Sequence, residues 1–220
     1  PSQTSSLLYA HDQEAMVNRD FLAFLSLEEH EYPQIKHSQA QNQGTAAKGK
    51  RLALWQFLRH ASASLISAQS ATSKRHQVDR QEILKAIHHG AVYPWALLLR
   101  LKAKKLYSDL FEAILGAIWV DSGSMAQCEA FLARLGMMPY LVRILRDSVH
   151  VQHPKEELTK LSFAEKVIYN VEPVPTQDDG ADLRCTIFIG NRQVAEVDGG
   201  LTPEEIETKA ATAAVALLRH

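Results

Sequence analysis

The sequence is poor in cysteine and has no long apolar run. Only two cysteines occur among its 220 residues, Cys128 and Cys185. Two cysteines cannot build a disulfide framework or a cysteine-based zinc site, so we expect a reducing intracellular setting, cytoplasmic or nuclear. No apolar run approaches the roughly 18 residues of a membrane-spanning helix, and no secretory signal is visible. We therefore expect no membrane partner.

Strong net charge is also lacking. The chain has 24 Lys and Arg against 25 Asp and Glu, which gives a formal net charge of −1. This balance argues against a protein whose whole surface binds nucleic acid, so any such binding must be local, assisted by a metal or shared with other segments. The hydrophobic content of 46% predicts a sizeable core. The length allows one large domain, or a domain of about 150 residues followed by a small one.

The first two thirds of the chain predict helices joined by polar segments. Apolar spacing predicts helices over residues 7–29, 51–67, 78–90, from Pro94 onward, 125–135 and 140–146. Between them, residues 35–50 are predicted to be an exposed loop and 68–77 a polar linker. No strand pattern is visible before about residue 166. Residue 1 is Pro rather than Met, so we expect a processed chain or a fragment.

The most informative stretch is residues 108–123, SDLFEAILGAIWVDSG. Asp109 and Glu112 are three residues apart, which puts both carboxylates on one face of a helix. Their neighbours are mostly apolar, and acids at the edge of an apolar helix are costly unless they are paired or bound to a metal. Gly116 and Ala117 are small, as where a second helix approaches closely. The tryptophans lie among aliphatic residues and are predicted to be core residues: Trp55, Trp95 and Trp119.

The pattern changes after residue 150. A short predicted helix, 155–161, precedes three predicted strands, 166–171, 183–189 and 193–197. Thr202 can cap a final helix, with Pro203 in its first position and Glu205 three residues after the cap. The predicted order is therefore helix, three strands, helix.

Residues 109–121 resemble the second signature helix of ribonuclease III domains, which has the form D-x-x-E-A-x-x-G-A-x-x-x-D. The matching residues are Asp109, Glu112, Ala113, Gly116, Ala117 and Asp121. The wider chain, from about Leu7 to the C-terminus, resembles the C-terminal region of fungal Dicer-like proteins, closest to the Dicer-like protein 2 type. That closer match is carried by residues 17–25, 93–96, 128–132 and 153–158.

The resemblance implies a mostly α fold in two parts. A helical ribonuclease III domain is expected over residues 1–150. A small α-β-β-β-α domain resembling a double-stranded-RNA-binding module is expected over residues 151–220, because such a module follows ribonuclease III domains in the family.

The last helix departs from the pattern of such RNA-binding modules. They usually present lysines at the start of this helix, where this sequence has Glu204, Glu205 and Glu207 and only Lys209. Acids near phosphate lower affinity. We therefore expect weak RNA binding by this helix and a role for the module in packing or protein contacts.

The chemistry that the resemblance implies is metal-dependent hydrolysis. Two divalent ions about 3.5–4 Å apart can activate water and stabilise the leaving oxygen, and Mg²⁺ prefers oxygen ligands. The resemblance makes Asp109 and Glu112 metal ligands for Mg²⁺ or Mn²⁺, Lys105 a catalytic residue at the scissile phosphate, and Asp121 a cap of the helix end. From spacing alone, the alternative is that the two acids cap the helix or form ion pairs with nearby lysines, Lys102, Lys104 or Lys105.

Half of the implied metal site has no counterpart in the sequence. The family builds each site from four acids, and two of these come from an earlier helix of the form E-x-x-x-F-L-G-D. No segment before Asp109 fits that form. Either the chain starts after that motif, or the domain never had those acids. In both cases the chain alone is not expected to cleave RNA.

The implied function is an endoribonuclease of RNA silencing that cuts double-stranded RNA. Its implied partners are double-stranded RNA and a second ribonuclease III domain, in the same longer chain or in another copy. The candidate pairing surface is the face of Leu110, Ile114 and Ile118. The alternative is a non-catalytic RNA-binding protein of ribonuclease III type, such as a mitochondrial ribosomal protein. A pseudo-nuclease that only dimerises is a third hypothesis.

Overall fold

The computed structural model describes residues 15–32, 50–175 and 181–219. Within these ranges, eight α-helices and two small antiparallel sheets occur in a mostly helical chain. The helices are α1 (Arg19–Leu27), α2 (Ala63–His89), α3 (Trp95–Leu99), α4 (Lys105–Ser122), α5 (Met125–Arg134), α6 (Met137–Asp147), α7 (Pro154–Leu161) and α8 (Pro203–Leu218). The strands are β1 (Glu29–Tyr32), β2 (Lys50–Ala53), β3 (Val167–Pro175), β4 (Ala181–Ile189) and β5 (Arg192–Gly200), and a 3-10 helix spans Leu54–Phe57.

Helix α1 lies at the centre of the first unit. Every residue from Asp20 to Leu27 is buried, as expected for a helix that is surrounded by others. The Asn18 side chain begins the helix by accepting hydrogen bonds from the Asp20 and Phe21 amides, at 2.9 and 3.1 Å. The prediction of one helix over 7–29 is therefore wrong at this point, because the helix is capped at Asn18 and ends at Leu27. Residues before 15 lie outside the described ranges.

Aromatic side chains around α1 form much of the first core. Phe21 meets the Tyr140 ring at 5.4 Å and the Tyr93 ring at 6.2 Å. The Tyr93 hydroxyl donates to the Ala15 carbonyl at 2.7 Å, so this buried polar atom is satisfied. This cluster includes buried side chains from α1 to Val151.

Helix α2 runs for 27 residues and contradicts the predicted linker at 68–77. Its buried residues are Thr72, His76, Asp79, Ile83 and Ile87. They recur at helical spacing, but the first three are polar, so the stripe is not recognisable from apolar residues alone. Their burial is compensated by partners in other elements, as at His76, whose Nε2 lies 2.7 Å from Glu28 Oε1.

A second correction concerns residues 51–67, which were predicted to be helical. Lys50–Ala53 is instead strand β2, which pairs antiparallel with β1 between Glu29↔Ala53 and Tyr32↔Lys50. The 3-10 helix follows, and α2 begins only at Ala63. The expectation of no strand before residue 166 is therefore also wrong. Of the predicted loop 35–50, only its last residue lies within the described residues.

The second unit confirms the predicted α-β-β-β-α order. Strands β3, β4 and β5 form an antiparallel sheet in sequence order. Helix α8 packs on this sheet, and α7 packs against α8. The alanines of α8 allow close packing, since Ala210, Ala211 and Ala214 are fully buried in a cluster with Cys185 and Ile187. This cluster is distinct from the first one. The boundary at residue 150 stays a prediction.

The two units meet at α3 and α8, which pack against each other. Trp95 at the start of α3 donates from Nε1 to the Val151 carbonyl at 3.2 Å, and its ring meets His153 edge-on at 4.7 Å. Cys128 and Cys185 are both free and buried. None of the helices that the structure describes is long and apolar enough to cross a membrane.

Candidate active site

Helix α4 presents the two acids to solvent. Its core face carries the buried residues Tyr107, Ser108 and Phe111. Asp109 and Glu112 lie off that face, Asp109 with 45% of its side chain exposed and Glu112 exposed. The acids are therefore not trapped in an apolar environment, and both carboxylates are open to a ligand from solvent.

Lys105 is the direct partner of Asp109. Its Nζ lies 2.6 Å from Asp109 Oδ1, one helical turn away, and this hydrogen bond raises the pKa of Lys105. The geometry is the ion pair that spacing alone had suggested as the alternative to metal binding. Exposed pairs of this kind contribute little to stability, so the carboxylate remains available to a competing cation.

The carboxylates fit a hard cation but supply only part of its coordination. Among the described residues, no group of three or more His, Cys, Asp and Glu side chains is placed to hold a metal ion. Mg²⁺ takes oxygen ligands and keeps several waters, so two solvent-facing carboxylates suit it as a partial donor set. Among the described residues, these two carboxylates alone do not complete the coordination of such an ion.

The end of α4 is formed by Ser122 and Gly123. The Ser122 hydroxyl donates to the Ile118 carbonyl at 2.7 Å and accepts from the Ser124 amide at 3.2 Å. Gly123 ends the helix in the left-handed region, with φ of 59°. Asp121 is exposed, and the cap is made by its two successors.

An exposed stripe of small and apolar residues follows the acids along α4. Its members recur at helical spacing and are all exposed: Ala113, Gly116, Ala117 and Val120. The predicted pairing face was that of Leu110, Ile114 and Ile118. This prediction is wrong in part, because Leu110 and Ile114 pack against the core of the first unit. Trp119 is 48% exposed, so it also departs from the predicted core role, whereas Trp95 is buried.

The start of α8 is in part buried against the first unit, because Glu205 is buried there while Glu204 is exposed. Thr202 caps it as predicted, accepting from the Glu205 amide at 3.0 Å. Glu205 is fully buried and accepts from Lys209 at 2.6 Å and from Arg100, which precedes α4, at 2.8 Å. Glu207 pairs with Lys155 of α7. These two glutamates therefore have intramolecular partners, which their sequence pattern did not reveal.

Glu205 is held in its charged form by these neighbours. Burial acts to raise the pKa of its carboxyl, but hydrogen bonds from Lys209, from the Leu201 amide and from Arg100 outweigh it, so the pKa lies below its ordinary value. Of these three donors, Lys209 and the Leu201 amide belong to the same unit as Glu205, and Arg100 belongs to the first unit.

Comparison with known proteins agrees with this fold and this helix. The family profile described as "Ribonuclease III domain" matches residues 11–123, which include α4 and both acids. The chain belongs to the ribonuclease III family.

Among curated proteins, the chain is similar to Dicer-like protein 2 of several fungi. It is 42% identical to the protein of Cryphonectria parasitica over 94% of the chain and 16% of that relative. It is 38% identical to the protein of Aspergillus terreus, over 93% of the chain and 15% of the relative, and 40% identical to that of Coccidioides immitis over the same shares. The chain thus spans about one sixth of the length of these relatives.

Proposed function

We propose that the chain is part of an endoribonuclease that cleaves double-stranded RNA with Mg²⁺, or with Mn²⁺ in its place. One observation carries the proposal: Asp109 and Glu112 lie together on the solvent side of α4 beside the Lys105 ammonium. Membership of the ribonuclease III family supports it. In this proposal the two acids are two of four carboxylate ligands, and the other two come from a segment that this chain does not include.

The residues of α4 have separate tasks in the proposed reaction. When bound, the divalent ions supply Lewis acidity for water and for the leaving oxygen. Asp109 and Glu112 would hold the divalent ions in place. Lys105 would bring a positive charge to the scissile phosphate, whose negative charge rises during attack. One water is added across a P–O3′ bond, so that its oxygen joins phosphorus and a proton passes to O3′. The products end in 5′-phosphate and 3′-hydroxyl.

The exposed stripe of α4 is the proposed contact with a second ribonuclease III domain, in the same longer chain or in another copy. Its small residues allow a helix to approach closely, and an apolar helix face of this kind is normally covered. The similarity to fungal Dicer-like proteins supports a role in RNA silencing, with short duplexes as products and a cytoplasmic or nuclear location.

The test is cleavage of long double-stranded RNA by the full-length gene product with Mg²⁺. Asp109→Asn and Glu112→Gln are expected to lower the cleavage rate by roughly a hundredfold or more, because each removes a charged ligand. Asp121→Asn is the matched control, an exposed acid at the end of the same helix, and it is expected to cut normally. Unchanged cutting by Asp109→Asn contradicts the assigned site. RNA binding without cutting by the wild type favours the non-catalytic alternative.

A further inference from the structure

We propose that Glu205 of the C-terminal unit is a positioning residue for the lysine-bearing loop of the active site, acting through Arg100. The loop comprises residues 100–104 and joins α3 to α4. It ends where Lys105 begins the helix that carries Asp109. This inference rests on the proposed function for the role of those residues, but its structural part is testable without cleavage.

The loop is fixed from the nuclease side by a backbone contact. Arg75 of α2 donates from Nε to the Leu101 carbonyl at 2.9 Å. Leu101 is fully buried and Ala103 is 8% exposed, so these two residues anchor the loop in the core. Lys102 between them is exposed and has φ of 47°, in the left-handed region that costs a lysine energy. The surroundings must therefore hold this backbone in place.

The first loop residue is fixed from the C-terminal unit. Arg100 donates from Nε to Glu205 Oε1 at 2.8 Å and from Nη1 to Glu82 Oε2 at 2.8 Å. Asp79 is a third acid near it, with Oδ1 at 3.5 Å from Nη1. The guanidinium thus ties α2, the loop and α8 together. A planar guanidinium with several donors is suited to joining carboxylates from different elements.

The Glu205 side chain is buried at this contact and does not face solvent. None of its surface is exposed, and its other oxygen accepts from the Leu201 amide at 2.8 Å. Gly200, which ends β5, leaves no room for a side chain, since a Cβ there would lie 2.5 Å from the Ile206 Cβ. The start of α8 is therefore packed tightly, with Glu205 directed at the loop.

The consequence is a mechanical link between the two units. The end of α8 at which related modules were expected to meet phosphate is instead attached to the segment that leads into the active-site helix. Loss of the Arg100–Glu205 bond removes the contact that fixes the first loop residue to the C-terminal unit. We expect this loss to shift Lys105, which lies five residues later. Reaction rates are sensitive to such displacements because catalytic groups must be held in place.

The first experiment is hydrogen–deuterium exchange of the full-length protein, followed on peptides that cover residues 100–104. Glu205→Gln, Arg100→Gln and the double variant are compared with the wild type. Each single change is expected to speed loop exchange by roughly tenfold or more, from the loss of a charge-assisted bond. The effects of the two changes are expected to be less than additive in the double variant, because both remove the Arg100–Glu205 contact, while Arg100→Gln also removes the pairs with Glu82 and Asp79 and Glu205→Gln the pair with Lys209.

The control is Glu207→Gln, which removes an ion pair within the C-terminal unit and leaves Arg100 in place. It is expected to leave loop exchange unchanged. Loop exchange that stays at the wild-type rate in Glu205→Gln, or that rises equally in Glu207→Gln, overturns the proposal. Additive effects in the double variant also overturn it.

The second experiment separates positioning from folding and from RNA binding. Cleavage by the same full-length variants is expected to show a kcat lowered roughly three- to tenfold with a smaller change in KM, because long RNA is bound by many other contacts. A change in KM alone overturns the positioning role. If Asp109→Asn also leaves cleavage unchanged, the proposed function fails, while the exchange data still decide whether Glu205 holds the loop.

Discussion

Gly116 lies in the middle of α4, and its replacement provides a quantitative test of the exposed stripe. A Cβ built at this position meets nothing within 4 Å, and the residue is exposed. Glycine in a helix interior is about 1 kcal/mol less favourable than alanine, because it loses more backbone freedom on folding. We therefore expect Gly116→Ala to stabilise the 220-residue chain by about 0.5–1 kcal/mol.

The assay is thermal unfolding of the purified chain, followed by helical circular dichroism. A gain of this size corresponds to an increase of roughly 1–4 °C in the midpoint for a protein of this length. Gly136→Ala is the matched control, since a Cβ there also meets nothing within 4 Å but φ is 84°. A left-handed alanine costs about 1–2 kcal/mol, so the control is expected to shift in the opposite direction.

The substitutions at Gly116 each have an outcome that would contradict this reasoning. A lower midpoint for Gly116→Ala would refute the description of this helix face as open. A larger side chain tests the role of the stripe, because Gly116→Leu adds a bulky side chain to this exposed helix face. If the stripe meets a second ribonuclease III domain, this variant of the full-length protein loses pairing and cleavage. Wild-type pairing and cleavage in Gly116→Leu would show that the contact face is elsewhere.

Three further predictions concern ion pairs. Arg80→Ala removes two hydrogen bonds, at 2.7 and 2.8 Å, to the buried carboxylate of Glu28, and is expected to cost roughly 2–3 kcal/mol in urea unfolding. Burial acts to raise the pKa values of the Glu28 and Glu205 carboxyls, but their hydrogen bonds outweigh burial, so both pKa values lie below 4.5. The stability that these carboxylates contribute is therefore present above pH 4.5 and is lost as the pH falls through the folded-state pKa. The difference in unfolding free energy between the wild type and Glu205→Gln is therefore expected to shrink below pH 4.5. Lys105→Ala is expected to leave stability unchanged, because its pair with Asp109 is exposed, and to slow cleavage by the full-length protein roughly tenfold or more.

Each of these has its own check. Arg146→Ala removes an exposed pair with Asp147 and is expected to leave the urea midpoint unchanged, so an equal loss in both arginine variants contradicts the importance of burial. For the pH series, carboxyls common to both proteins cancel in the comparison, and a difference that stays constant or grows at low pH contradicts the sign given above. For Lys105→Ala, normal cleavage removes that residue from the proposed site.

The parts of the fold that sequence patterns predicted are those whose signals are local. Thr202 and Pro203 mark the start of α8, and the predicted strand 183–189 ends where β4 ends. The motif over residues 109–121 coincides with α4. Caps and turns depend on a few adjacent residues, so they can be predicted without knowledge of the tertiary contacts.

The elements that were mistaken depend on distant partners. Strand β2 is defined by its pairing with β1, and residues 51–53 have no alternation long enough to indicate it. The early half of α2 is buried through polar groups, His76 with Glu28 and Asp79 near Arg100. An apolar stripe search cannot find a helix face whose buried members are polar, because burial there depends on charges brought from other elements.

For the candidate site as well, residues that share one helix were predictable and contacts between distant residues were not. Asp109, Glu112 and Lys105 share one helix, so their spacing was enough to place them together. The role of Glu205 was not predictable, because three glutamates at a helix start suggest a solvated acidic end. Its position at the third residue after Thr202 was a true signal of a cap, but its contact with Arg100 joins residues that are 105 positions apart.

The pairing of β1 with β2 has a practical consequence for protein engineering. Tyr32 and Lys50 are register partners, so the two ends of the intervening segment, residues 33–49, are fixed side by side. Lengthening a segment with fixed ends costs little, about 0.6 kcal/mol for each doubling. An insertion between Tyr32 and Lys50, such as an affinity tag or a fluorescent label, is therefore expected to cost little stability, because the pairing of the two strands holds its ends together.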